Sequence, residues 1–125
     1  MYYVWYRDDI NMKVIIAGGR HITDTAVVVK AIEDSGFDIT EVVQGGATGV
    51  DKIAKDYATI KNLPCKEFKA EWDYYGKSAG CIRNSIMSKY ADALILVWDG
   101  QSRGSWNMRD TMEKAKKPIF EVIVK

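Results

Sequence analysis

The chain has 125 residues, the length of one domain, and 47% of them are hydrophobic, enough for a real core. Its 18 basic and 17 acidic residues leave a net charge of +1, so no global field draws in nucleic acid or an anionic membrane. A single His and two cysteines without metal-ligand spacing exclude a multi-histidine or paired-cysteine metal centre.

Cys65 and Cys81 fit a reduced, cytoplasmic setting, as thiols in or near the core. No apolar run approaches membrane-spanning length, and residues 1–6 lack the basic start of a signal peptide. No cofactor is expected.

Residues 1–12 begin aromatic and end polar, and are expected to form an appendage, an edge strand or flap, on a single domain spanning 13–125. Lys13 to Ala17 is the first clear strand. It is apolar on both faces, as a central parallel strand should be, and ends in Gly18-Gly19-Arg20. Thr23 or Asp24 can cap the next helix, which runs to about Ser35 with Val28, Ala31 and Ile32 inward and stops at Gly36.

A second strand, Val42-Val43, leads through the glycine turn Gly45-Gly46-Ala47-Thr48-Gly49 into an amphipathic helix carrying Val50, Ile53, Ala54, Tyr57 and Ala58. Cys65 to Phe68 is a short third strand. Glu71 to Gly80 has no periodicity and is expected to be an aromatic loop. The following helix presents Ile82, Ile86, Met87 and Tyr90. Ala93 to Trp98 is a second fully buried strand, ending in Asp99-Gly100. Ser102-Arg103-Gly104-Ser105 opens the last helix, Pro118 ends it, and Ile119 to Val124 is the final strand.

Strands alternating with helices over short connections predict an α/β fold: a Rossmann-like three-layer sandwich, with a five-stranded, mainly parallel sheet and helices on both faces. Ligands of such sheets bind beyond the carboxyl ends of the strands. Gly18, Gly19 and Arg20, the turn from Gly45 to Gly49, the Trp72 segment, and Asp99 with Ser102, Arg103 and Gly104 all fall on that edge.

Arg20 and Arg103 are suited to phosphate by their planar, two-pronged donors. The turn Gly45-Gly46-Ala47-Thr48-Gly49 would aim N–H groups and a helix dipole at the same anion. Asn84 suits a base or a ribose hydroxyl, Trp72 a stacked purine. Asp51 in the first helical turn is a partner for the helix dipole, a general base, or a partner for a ribose hydroxyl. Arg83 could orient phosphate or ribose. Asp99 either binds ligand or shapes its own turn. His21 reads as structural, since nothing near it completes a triad.

Five stretches in the same order resemble the YspA-like family of the SLOG superfamily. They are Lys13-Val-Ile-Ile-Ala-Gly-Gly-Arg20, Gly45-Gly-Ala-Thr-Gly-Val-Asp51, Trp72 with Gly76-Lys77, Ala79-Gly80 with Arg83-Asn84, and Asp99-Gly-Gln-Ser-Arg-Gly104. The superfamily takes its name from the DNA-processing protein DprA and the LOG cytokinin-activating hydrolases. The resemblance implies a Rossmann-like fold that binds a nucleotide or nucleotide-derived ligand. The likeness to the LOG enzymes implies, as an alternative, hydrolysis of a nucleotide N-glycosidic bond; in this chain Asp51 would then be the base and Arg83 would orient the phosphate or ribose.

The chain departs from the hydrolase signature Pro-Gly-Gly-x-Gly-Thr-x-x-Glu, with Val50 at the threonine position and Ile53 at the glutamate position. An isoleucine cannot do acid–base work. A binding module for a nucleotide or nucleotide-derived small molecule is therefore the first expectation. Single-stranded DNA binding comes last, because it needs a basic groove. A homo-oligomer, dimer or higher, is expected from the apolar helix faces.

Overall fold

The computed structural model describes residues 12–125, so the appendage expected over 1–12 lies outside the described residues except for Met12. Five strands, β1 (Lys13–Gly18), β2 (Glu41–Gln44), β3 (Cys65–Glu67), β4 (Ala93–Trp98) and β5 (Ile119–Ile123), form one sheet in the order β3-β2-β1-β4-β5. All four pairings are parallel. The helices are α1 (Thr25–Ser35), α2 (Val50–Ile60), the single turn α3 (Trp72–Tyr75), α4 (Ala79–Tyr90) and α5 (Arg103–Lys114). Among the described residues no helix is long and apolar enough to cross a membrane.

The two apolar runs are the two central strands. β1 and β4 pair from Val14↔Ala93 to Gly18↔Val97, and every residue of β4 is buried. Side chains alternate between faces. Val14, Ile16, Ile95 and Val97 pack under α1 and α2, whereas Ile15, Leu94, Leu96 and Trp98 pack under α4 and α5. Both faces are covered, so neither strand shows a polar alternation, and three layers result. Each fully buried aliphatic side chain contributes about 1.5–3 kcal/mol.

The helix ends follow local chemistry. Asp24 caps α1 by accepting from the Ala26 N–H at 3.1 Å, and Gly36 closes it in the left-handed region at φ 71°. Ser102 caps α5 by accepting from the Ser105 N–H at 3.5 Å.

Three local expectations are corrected. The segment from Glu71 is not a loop: α3 and a 3-10 turn, Gly76–Ser78, run directly into α4, with the Trp72 ring beside Gly80. Cys65 and Cys81 are exposed free thiols, not core thiols, because β3 is an edge strand and Cys81 sits on the outer face of α4. Ile86 is half-exposed; the inward face of α4 consists instead of Ala79, Asn84, Met87 and Ser88.

Candidate functional site

The strand order reverses between β1 and β4: the chain leaves β1 toward β2 on one side and returns to β4 on the other. Neighbouring connections diverge there and leave a crevice at the carboxyl ends. A hollow of about 650 Å³ occupies this point. Gly18, Gly19 and Arg20 after β1 form one wall, and Asp99, Ser102 and Gly104 after β4 form the other. Ala47, Asp51 and Arg83 close it from the β2 side.

The turn after β2 differs from the open anion cradle expected of it. Asp51 Oδ2 accepts from the Gly45 N–H at 3.1 Å and the Ala47 N–H at 3.2 Å. Gln44 Oε1 accepts from the Gly46 N–H at 2.6 Å. The turn's N–H groups are therefore already taken by the chain's own side-chain oxygens.

Gly45 has no side chain because Arg83 fills that place: a Cβ there would collide with the guanidinium, which donates to Gly45 O at 2.7 Å. The space a Cβ would take at Gly46 belongs to Glu67. Gly49 packs on the backbone of Gly19 and Arg20, where Thr48 Oγ1 also donates to Arg20 O at 3.3 Å. Gly45, Gly46, Thr48 and Gly49 thus shape the turn from outside the hollow's lining; these glycines admit the protein's own atoms, not a ligand.

Asn84 is likewise an internal brace. It is buried, its Nδ2 donates to Gly104 O at 3.3 Å and Asn107 Oδ1 at 2.9 Å, and its Oδ1 accepts from Arg83 Nε at 2.9 Å. It ties α4 to the start of α5 and aims Arg83, so that both of its amide donors are already used within the fold. Arg103 is exposed and outside the lining, although its two neighbours line the hollow. Trp72 is half-exposed and borders a separate shallow depression with Glu71 and Tyr74. Of the sequence candidates, the hollow brings together Gly18, Gly19, Arg20, Ala47, Asp51, Arg83, Asp99, Ser102 and Gly104.

Sequence reasoning missed His21, Asp24, Met87, Met108 and Lys125, which also line it. His21 and Asp24 follow Arg20 within the connection after β1, so their place at the rim was signalled by proximity. The two methionines and Lys125 carry no local signal.

The acids differ in state. Burial pushes the Asp51 carboxyl up from the ordinary 3.8, against the N–H bonds from Ala47 and Gly45 and the charges of Arg83 and Arg20. Burial also lowers Arg83, while Asp51 raises it and Arg20 lowers it further. Asp99 is held down by N–H bonds from Gln101 and Ser102 at 2.8 and 3.0 Å, so it shapes its own turn. Its capacity is partly spent, as at Asp51.

A raised folded-state value means that native Asp51 holds its proton more tightly than the unfolded chain does. Its contribution to stability is complete below pH 3.8 and is lost as pH rises through the folded value. Asp51→Asn keeps an oxygen for the two N–H groups and removes the buried charge. Its Tm is expected to equal or exceed that of the parent protein at neutral pH, with the two converging below about pH 4. Thermal denaturation against pH checks this; a Tm lower at neutral pH alone would show that the carboxylate's own bonds outweigh its burial.

Sequence comparison gives the relatives. The family described as YAcAr: YspA, cpYpsA-related SLOG family matches residues 12–75, from Met12 through the glycine turn to the end of α3. The chain is also similar to the Gene 61 protein of Mycobacterium phage D29, 32% identical over 118 residues, covering 86% of this chain and 94% of the phage protein. No solved structure matches significantly. A family match over half the chain and a relative aligned over 86% of it agree with the five-stranded parallel α/β sheet: the chain belongs to the YspA and cpYpsA-related SLOG family.

Proposed function

We propose that this protein binds a nucleotide or nucleotide-derived phosphorylated ligand in the hollow between β1 and β4, as a sensor or binding module. The observation that carries this is the pairing of two anion-seeking features on facing walls. Arg20 makes no side-chain hydrogen bond or ion pair among the described residues. Opposite it, α5 begins with the N–H groups of Arg103 and Gly104, which donate to no protein acceptor among the described residues. A helix start with open N–H groups and a nearby guanidinium suit a phosphate.

The volume lies within the range of about 300–1,000 Å³ usual for small-molecule sites. The charged lining is balanced: Arg20, Arg83 and Lys125 against Asp24, Asp51 and Asp99. That balance suits one phosphate better than a polyphosphate, and it disfavours single-stranded DNA, whose backbone needs a basic track. Cleavage of a nucleotide N-glycosidic bond is the second possibility. It is favoured by one observation, a buried carboxyl of raised pKa in the hollow, which would take a proton from the water attacking C1′ as the C1′–N bond breaks and pass it to the departing nucleobase. Exposed thiols at Cys65 and Cys81 go with a cytoplasmic setting, and the half-exposed Ile86 and Trp106 offer apolar surface for a homo-oligomer.

Thermal shift with a panel of nucleotides, followed by chromatography for released base, separates these. Stabilisation without base release supports the module. Release that disappears in Asp51→Asn supports the hydrolase. Salt-sensitive binding of an oligonucleotide alone would replace both with a DNA-binding function.

A further inference from the structure

We infer that Asp51 is the specificity determinant of the hollow, accepting a hydrogen bond from a sugar hydroxyl and so selecting ribose over 2′-deoxyribose ligands; this rests on the nucleotide-binding function proposed above. Asp51 is only 6% exposed, so its surroundings must account for each oxygen. Oδ2 is engaged by the Gly45 and Ala47 N–H groups, which hold the carboxyl in one orientation. Oδ1 receives no donor from the protein among the described residues.

Arg83, whose charge acts on Asp51, makes no hydrogen bond to it: its Nη1 donates to Gly45 O at 2.7 Å and Phe68 O at 3.5 Å, and its Nε to Asn84. An oriented, buried oxygen without a donor therefore belongs to a residue that lines the hollow. The two N–H bonds account for Oδ2 as part of the turn, but no bond within the fold accounts for Oδ1 among the described residues.

The chemistry of the ligand follows from that oxygen. An ionised carboxylate only accepts, and a sugar hydroxyl, which can both donate and accept, matches this oxygen whether or not it carries a proton. A phosphate is repelled from this side and directed to Arg20 and the start of α5 across the hollow. A sugar between phosphate and base presents hydroxyl donors, and an acid bound to ribose hydroxyls is a recurring arrangement at the reversal point of parallel sheets. Where a buried acceptor is built for a hydroxyl, an analogue without it leaves that acceptor unpaired and is rejected.

The test measures affinities of the intact protein and of Asp51→Asn for the four ribonucleoside 5′-monophosphates and their 2′-deoxy counterparts, by titration calorimetry. The best-bound ribonucleotide is expected to bind about 10- to 100-fold more tightly than its deoxy form. In Asp51→Asn that ratio should shrink toward one, through lost ribonucleotide affinity. Equal binding of both forms by the unmodified protein overturns the inference and leaves the nucleotide site intact. Equal loss of both in Asp51→Asn overturns it as well, since the donor would then lie elsewhere on the ligand. Binding of neither form removes the nucleotide site itself. Should the variant fail to fold, the comparison of the two sugars in the unmodified protein decides the matter.

Discussion

Gly49→Ala is expected to cost more than about 3 kcal/mol of folding stability, a large share of the ~5–15 kcal/mol that holds a domain together. Gly49 precedes α2 at φ 73° and ψ −126°, a conformation that L side chains rarely adopt. Strain is one part of the cost. The other is collision, because a Cβ would strike the Gly19 carbonyl oxygen and lie 2.6 Å from the carbonyl carbon and oxygen of Arg20. Neither obstacle is a flexible side-chain end. Both belong to the connection after β1, which is held from the other side by Gly19 N donating to Val97 O at 3.0 Å.

Relief would require α2 to withdraw, breaking the bond from Val50 N to Gly19 O at 3.2 Å and exposing the fully buried Val50. Urea denaturation measures the loss. Gly104→Ala is the matched control: a Cβ there meets nothing within 4 Å, the residue lies in helix α5, and its stability should hold or rise slightly. A Gly49→Ala protein as stable as the parent would mean that α2 does not dock on the β1 connection as described.

Arg20→Ala is expected to lower affinity for a phosphorylated nucleotide by about 10- to 100-fold, the worth of a charge-assisted contact of roughly 1.5–3 kcal/mol. Its effect on Tm should be negligible. The Arg20 side chain is exposed and makes no hydrogen bond or ion pair among the described residues, so the folded chain loses no contact of its own. Arg83→Ala is a poorer probe, although Arg83 also lines the hollow. It would open space over Gly45 and remove the bonds to Gly45 O and Asn84, mixing instability with lost binding. Titration calorimetry beside thermal denaturation separates the two quantities. Unchanged affinity in a folded Arg20→Ala protein would move the phosphate away from the β1 wall.

The two turns at this sheet edge illustrate a general point about glycine-rich connections. Their N–H groups seek an acceptor, and Asp51 and Asp99 supply internal ones at both turns. The positions left open to an outside anion are those without such a partner, Arg20 and the first N–H groups of α5.

The amino-acid sequence determined the layered architecture and the edge on which a site would form. The runs at Val14–Ile16 and Ala93–Trp98 are apolar without alternation, which only a sheet covered on both faces explains, and Asp24 and Gly36 bound α1 by local chemistry. Those properties depend on neighbours in the chain. Tertiary structure alone decided which groups at that edge are free. That Arg83 fills the space over Gly45, that Asn84 braces α5, and that Lys125 reaches the hollow depend on contacts across 38, 20 and about 100 residues. No periodicity or motif encodes such distances; they are set by where the helices settle on the sheet once both faces are packed.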